Sequence, residues 1–308
     1  MRLMINLRHA SLILLLLAVI CCSAIGQQTS VEDSTVRVVV TVTDSSGRPL
    51  TGLTQQQFSV SDKKNPLDIT YFDSEDKPVS IAFIFDLSAS TTLASRKTAA
   101  QIASQIIRGS NTADEYAIIG LRDTPEVLCE LGCSQSEIAK AWQQVTASEE
   151  ARKTPLYDAC ELALKKLQTS KNSKRTLIVF SDGLDSSSKL SFTKLRDALK
   201  ESGVILYAIV QQKSTSLNGP SSMEGGGILE ELGVVTGGKA YFPLDAKEIS
   251  AVANAIALQL RQQYTIGFKP AEQTPDNKWH AIKIKLTMPK AEKSSTPNVR
   301  YREGYYSH

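Results

Sequence analysis

Two aspartates and a pair of serines carry the chemistry most visible in this chain. Ile81-Ala-Phe-Ile-Phe runs directly into Asp86-Leu-Ser88-Ala-Ser90, and Arg175-Thr-Leu-Ile-Val-Phe-Ser runs into Asp182-Gly183. Carboxylate and hydroxyl oxygens are hard donors, suited to Mg²⁺, Mn²⁺ or Ca²⁺ rather than to zinc. A short, nearly all-apolar run is the pattern of a strand buried on both faces. Both aspartates therefore stand where buried strands end. In an open parallel sheet such ends meet at a topological switch point, the usual place for a ligand. The same residues also have a plainer reading, with Ser88 and Ser90 capping the next helix and the aspartates serving as ordinary strand-end polar groups.

Asp86-x-Ser88-x-Ser90 followed by Ser181-Asp182-Gly183 resembles the metal-ion-dependent adhesion site of von Willebrand factor A domains. Between them, Lys153-Thr154-Pro-Leu-Tyr-Asp-Ala159 is similar to the T-x-L-Y-D-A segment of that family, which gives Thr154 the role of the loop threonine. The likeness spans residues 79–262, and it is nearest to secreted bacterial proteins of the acidobacterial type with a short β-region on each side. It implies a Rossmann-like α/β fold with a doubly wound, mostly parallel sheet. It also implies a Mg²⁺ (or Mn²⁺ or Ca²⁺) site made by Asp86, Ser88, Ser90, Thr154 and Asp182, with one position left open for a Glu or Asp of a partner protein. The charge balance agrees: two carboxylates cancel a divalent ion formally, and neutral hydroxyls leave it attractive to one more anion. Asp185, in Asp182-Gly-Leu-Asp185, is placed to orient those ligands by hydrogen bonding.

The elements that must position these residues follow from periodicity. Thr91–Arg108 carries a helical stripe of Ala99, Ile102, Ala103, Ile106 and Ile107. Glu115–Leu121 reads as a strand and Glu126–Leu131 as an antiparallel edge strand. Ser134-x-x-Glu137 is a capping-box pattern, and Pro155 suits the first turn of a helix. Leu190–Lys200 is helical and Val204–Val210 a buried strand. Lys213–Gly227, with Gly225-Gly-Gly227, reads as a surface loop, Ile228–Val235 as a short helix and Gly238–Phe242 as a strand. A final helix carries Ile249, Val252, Ala253, Ile256, Ala257 and Leu260. Alternating strands and helices argue a mostly parallel sheet covered on both faces.

Residues 27–78 and 263–308 are different. Ser34–Asp44, Leu53–Asp62 and Leu67–Phe72 in the first part read as strands, as do Gln263–Lys269, Trp279–Thr287 and Val299–Tyr305 in the second. Neither part alone has enough strands for a stable sandwich. The expected arrangement is one small β-domain built from both ends, with residues 79–262 inserted.

Residues 1–26 have a basic start, an apolar run from Leu12 to Cys22 and the small-residue end Ala24-Ile-Gly26, the layout of a secretory signal peptide. The apolar run is shorter than the roughly 18 residues of a membrane span, and no later segment is long enough. The implied location is secreted or periplasmic. Its removal takes Arg2 and Arg8 and no acid, so 35 − 2 = 33 basic residues face 32 acidic ones, a balance that gives no support for nucleic-acid binding. Three of five cysteines remain. Cys129 and Cys133 would lie about 13 Å apart on an extended strand, too far for a disulfide, whereas a turn at Gly132 would close them. Both alternatives stay open. Cys160 lies on the apolar stripe Leu156, Ala159, Cys160, Ala163, Leu164, Leu167, where its expected role is packing.

Catalytic readings find little material. After residue 26 only His280 and His308 remain, both in the late β-region, so a Ser-His-Asp site is not expected and His280 reads as an exposed strand residue. There is no phosphate-binding G-x-x-x-x-G-K-[ST] loop and no G-x-G-x-x-G after a strand. Three functions remain in view: cation-dependent protein binding without enzymatic activity, metal-dependent hydrolysis, and a structural envelope module with an inactive metal site. The leader reading makes a direct prediction. N-terminal mass analysis of exported material should find a chain beginning at or near Gln27, and an intact Met1 on soluble cytoplasmic protein would contradict it.

Overall fold

The computed structural model describes residues 35–147, 151–211, 220–270, 278–288 and 296–307. The leader and its boundary at Gln27 lie outside these residues. At the centre is a six-stranded sheet in the order β10-β9-β8-β5-β6-β7. Its strands are β5 (Val79–Asp86), β6 (Glu115–Leu121), β7 (Pro125–Cys129), β8 (Lys174–Ser181), β9 (Ile205–Val210) and β10 (Lys239–Tyr241). All pair in parallel except β7, which runs antiparallel to β6. All eight residues of β5 are buried, as expected of a strand with helices on both faces.

One face is covered by α1 (Leu93–Arg108), α2 (Gln135–Ala147) and α6 (Ala246–Arg261). The other is covered by α3 (Leu156–Gln168), α4 (Phe192–Ser202) and α5 (Pro220–Thr236). The helix starts are chemically marked. Ser134 and Glu137 exchange capping bonds at the head of α2, and the Asp245 carboxylate accepts from Glu248 N–H at the head of α6. Pro155 stands one residue before α3. Cys160 is buried in the α3 stripe, and burial pushes its thiol up to about 12, which suits packing rather than reactivity.

The two ends of the chain pair with each other. β1 (Val36–Thr43), β4 (Ile69–Asp73), β11 (Tyr264–Phe268) and β13 (Asn298–Arg300) form one sheet, with Val40 opposite Tyr264. β2 (Phe58–Asp62), β3 (Asn65–Leu67), β12 (Trp279–Leu286) and β14 (Gly304–Tyr306) form another, with Val60 opposite Ile284. Side chains from both sheets share a core that includes Val38, Val40, Phe58, Val60, Ile266, Phe268 and Tyr305. Phe268 meets Tyr305 edge-on at 5.6 Å between centroids.

Several expectations need correction. The strand expected from Leu53 begins at Phe58, because Thr54 and Gln57 make a capping box around a short 3-10 turn at Gln55–Gln57. His280 is buried, 8% exposed, where a surface position was expected. Its ring stacks on Tyr305 and its Nδ1 lies 3.2 Å from Asp62 Oδ2, so a polar residue on an alternating strand has taken a core position with a polar partner. Gly225–Gly227 lie inside α5 rather than in a loop, for a reason that belongs to the site below. Pro220–Glu224 of the expected loop belong to the same helix, and residues 213–219 lie outside the described residues. Cys129 and Cys133 are joined by a disulfide with Cα atoms 6.0 Å apart. Gly132, at φ +83°, turns the chain back after β7.

The shared core yields a stability test. Phe268→Ala removes a fully buried ring between the two antiparallel sheets and should lower unfolding free energy by about 3–5 kcal/mol in urea denaturation. A loss below about 1 kcal/mol would show that this ring is not packed as described.

Candidate functional site

Register brings the sequence-marked residues together. Parallel pairing sets Phe85 of β5 beside Phe180 of β8, so Asp86 ends level with Ser181 and Asp182 follows immediately. Asp86 is 1% exposed. Its Oδ1 accepts from Ser88 N–H at 2.9 Å and its Oδ2 from the Ser181 hydroxyl at 2.7 Å. Burial pushes its carboxyl above the usual range, hydrogen bonds from Ser88 and Ser181 work against that, and the charge of nearby Asp182 adds to it. The hydroxyls of Ser88 and Ser90 lie 2.9 Å apart. Asp182 is half-buried, and one of its oxygens accepts from Leu184 N–H at 3.1 Å.

Ser88 and Ser90 do not cap α1. That role belongs to Thr92, whose hydroxyl accepts from Ser95 N–H. The segment after β5 is held instead by Arg96, a buried residue of α1 whose guanidinium donates to the carbonyls of Leu87 and Ser88 at 3.0 and 3.3 Å. A second strap is the bridge between Ser88 and Ala151, with Ala89 N–H donating to Ala151 O and Ala151 N–H donating to Leu87 O, each at 3.0 Å.

Thr154 is tied through its backbone to the loop that follows β8. Its N–H donates to the Ser186 hydroxyl at 2.9 Å, and its carbonyl accepts from Ser186 N–H at 3.0 Å. Its hydroxyl makes no hydrogen bond among the described residues. On the other side, Asp123 Oδ1 accepts from the N–H groups of Arg152 and Lys153, both at 2.8 Å, and these bonds hold its carboxyl below the usual range. Asp185 is engaged at the head of α3. Its Oδ1 accepts from Tyr157 N–H and from the Ser188 hydroxyl, while the Ser188 oxygen accepts from the N–H groups of Tyr157 and Asp158. The loop after β8 thus supplies the cap that α3 lacks in its own sequence.

Three contributors were assigned no part in the site from the sequence. Ser181 holds the buried oxygen of Asp86, and its place in Ser-Asp-Gly at a strand end was the available signal. Asp123 and Arg96 act through backbone groups, for which residue type alone gives no signal. The glycines explain themselves here. Gly183, at φ +85°, and Gly225 in α5 approach so closely that a Cβ on either would collide with the other's neighbouring backbone, at Gly225 O or Asp182 O. A helix carrying glycine at this point can seat directly on the Asp182–Gly183 peptide.

Residues 81–184 match the family model of the von Willebrand factor type A domain. Among solved structures, proximal thread matrix protein 1 from the mussel byssus superposes with a TM-score of 0.50 at 17% identity, covering 63% of this chain and 48% of that one. The pilus adhesin SpaC from Lactobacillus rhamnosus GG gives 0.48 at 11% identity, covering 83% and 48%. The vWF domain of the type V pili tip protein Mfa5 from Porphyromonas gingivalis gives 0.47 at 11%, covering 60% and 97%. At 17% identity the mussel protein speaks to the fold alone. No curated protein matches the sequence.

The close seat of α5 separates two neighbouring glycines experimentally. Gly225→Ala forces a methyl against the Asp182 carbonyl and should destabilise by about 1–3 kcal/mol. Gly227 faces open space, so Gly227→Ala should stabilise by about 0.5–1 kcal/mol through helix propensity. Chemical denaturation of both variants checks the contrast, and equal effects would remove the assigned contact.

Proposed function

Because this chain carries a von Willebrand factor type A domain, we propose that it is an exported protein-binding module. In this reading Asp86, Ser88, Ser90, Thr154 and Asp182 hold a divalent cation, Mg²⁺ or alternatively Mn²⁺ or Ca²⁺. Such an ion, when bound, supplies a coordination position for one further anionic oxygen, here a Glu or Asp side chain of a partner protein. The reading is one of binding rather than of enzymatic turnover.

The observation that carries it is the state of Asp86 and the two serines. A carboxylate 1% exposed has a second carboxylate beside it and no lysine, arginine or histidine hydrogen-bonded to it among the described residues. Buried charge of this kind calls for a counter-charge. The Ser88 and Ser90 hydroxyls are free of capping duty and turn toward each other, so the competing helix-cap reading loses its support. Among the described residues no group of three or more His, Cys, Asp or Glu side chains is arranged to hold a metal. A cation here would therefore rely on hydroxyl oxygens beside two acids, a donor set that fits Mg²⁺ better than zinc.

Residues of the chain have defined parts in this proposal. Asp86 fixes the site's depth, with Ser181 and Ser88 N–H setting its rotamer. Ser88 and Ser90 present their oxygens from a segment braced by Arg96. Thr154 presents a hydroxyl with no other partner from a loop tied to Ser186 and Asp123. Asp185 acts at a distance by holding the loop after β8 to α3. The Cys129–Cys133 disulfide supports an oxidising, extracytoplasmic location. No helix among the described residues is long and apolar enough to cross a membrane. Hydrolysis draws no support, since neither carboxylate is met by a base or a cationic clamp among the described residues, and His280 is occupied by Asp62 and Tyr305.

Thermal melts and a capture experiment test the proposal together. Mg²⁺ at a hundred times its dissociation constant should stabilise the wild-type protein by about 2.7 kcal/mol. Asp86→Asn should lose that response while melting no lower than wild type in EDTA, because it removes a charge that burial disfavours. Thr154→Ala should retain much of the metal response and lose partner capture from envelope extract. Identical Mg²⁺ responses from wild type and Asp86→Asn would refute the site. Capture unaffected by both EDTA and Thr154→Ala would leave the metal site structural and place binding elsewhere.

A further inference from the structure

At the opposite end of the six-stranded sheet from Asp86, the antiparallel β-region closes over the starts of β5 and β8. The seam contains a cavity of about 200 Å³ with an unusual charge lining. Five cationic side chains border it: Arg37 from β1, Lys77 from the segment before β5, Lys174 and Arg175 from β8, and Arg302 between β13 and β14. Among the described residues Asp73 of β4 is the one carboxylate on the lining, and it is already paired with Lys77. Among the described residues the lining therefore carries five positive charges against one negative.

Two of the cations, Lys174 and Arg302, meet no carboxylate in an ion pair among the described residues. Lys174 is 4% exposed, and its Nζ has the Glu75 carbonyl at 3.4 Å as its hydrogen-bond partner. Burial pushes its pKa down, and the nearby Arg261 adds to the fall, while Asp76 and Asp73 oppose it at a distance. Arg302 donates through one terminal nitrogen to the Arg37 carbonyl at 3.1 Å, and its Nε is buried with no hydrogen-bond partner among the described residues. Arg175 spends its Nε on the Ser170 hydroxyl. Arg37 lies over the Tyr71 ring at 4.7 Å and is exposed at the rim. A desolvated lysine and a buried guanidinium donor facing one cavity are costly unless an anion answers them.

We propose that this seam cavity is a binding site for a small phosphate-class oxyanion, bridging the β-region and the six-stranded sheet. The ligand's chemistry follows from the lining. A carboxylate carries a single negative charge and two acceptor oxygens, whereas a phosphate group carries close to two negative charges at neutral pH and several acceptor oxygens. Guanidinium groups match that oxygen geometry, and a lysine adds a point charge. The seam draws its cations from strands at both ends of the chain and from the sheet between them, so an anion bound there would stabilise the whole assembly. The site lies away from Asp86 and needs no divalent cation, which separates it from the function proposed above.

The test uses the full exported chain in EDTA, comparing inorganic phosphate with chloride at equal ionic strength. Phosphate at a hundred times its dissociation constant should raise the melting temperature by roughly 5 °C, with matching heat in titration calorimetry. Lys174→Met should melt at or above the wild-type temperature in chloride, since an uncompensated buried charge is gone, and should lose most of the phosphate shift. Arg175→Gln, at a half-buried position, should weaken phosphate binding at least tenfold and serves if Lys174→Met does not fold. Glycerol 3-phosphate, run in parallel, distinguishes a site for phosphate esters from one for the free anion: equal or tighter binding assigns the ester, and exclusion assigns the free ion. Equal melting in phosphate and chloride would overturn the proposal, as would an undiminished phosphate shift in a folded Lys174→Met or Arg175→Gln protein.

Discussion

The parallel register between β5 and β8 is the constraint on which the rest depends. Pairing Phe85 with Phe180 brings Asp86 level with Ser181, and a shift of one residue would turn every side chain of either strand to the other face. Because both strands are buried on both sides, the register has no solvent-facing alternative. The carboxylate of Asp86 is delivered into a dry position by packing that has nothing to do with its charge. Ser181 and Ser88 N–H then satisfy its oxygens without neutralising it.

Around this fixed point, the loops are ordered by borrowed backbone bonds. α3 takes its cap from Asp185 and Ser188 of the loop after β8. The Thr154 segment is tied to Ser186 on one side and to Asp123 on the other, and the Ser88 segment is tied to Ala151 and to Arg96. Each loop is therefore held by its neighbours as well as by its own turn bonds. A helix dipole contributes as well, since the N-terminus of α3 points at the loop that follows Asp182 and favours negative charge there.

Much of this was legible in the sequence because the signals were local and strong. The apolar runs ending in Asp86 and Asp182 could be buried parallel strands and little else, and the stripes of α1 and α6 have unambiguous helical spacing. What was illegible depended on tertiary contact. Gly225–Gly227 read as loop because glycine disfavours helix interiors, yet the close approach to Gly183 selects for it. His280 read as exposed on an alternating strand, and only the position of Asp62 on the paired strand β2 makes burial tolerable. Arg96, far from any acidic residue in the motif, gave no hint that its role lay with two carbonyls. The seam cavity was equally hidden, since its five cations come from positions between 37 and 302.

The pairing of β1 with β11 has a consequence for how the chain is made. Val40 and Tyr264 are partners separated by 264 − 40 = 224 positions, with a complete α/β unit between them. A chain emerging from its N-terminal side presents Val-Arg-Val-Val-Val-Thr-Val-Thr well before β11, a β-prone stretch whose partner does not yet exist. Such a strand is open to pairing with another copy of itself during that interval. Closure of a loop this long costs little more entropy than closure of a loop half its length, but it comes late. The inserted unit can shorten the wait by folding first, since β11 begins only three residues after α6 ends. Once α6 docks on the sheet, the end of the chain is delivered next to its beginning, and the nascent N-terminal strand is capped by its own molecule before a neighbour reaches it.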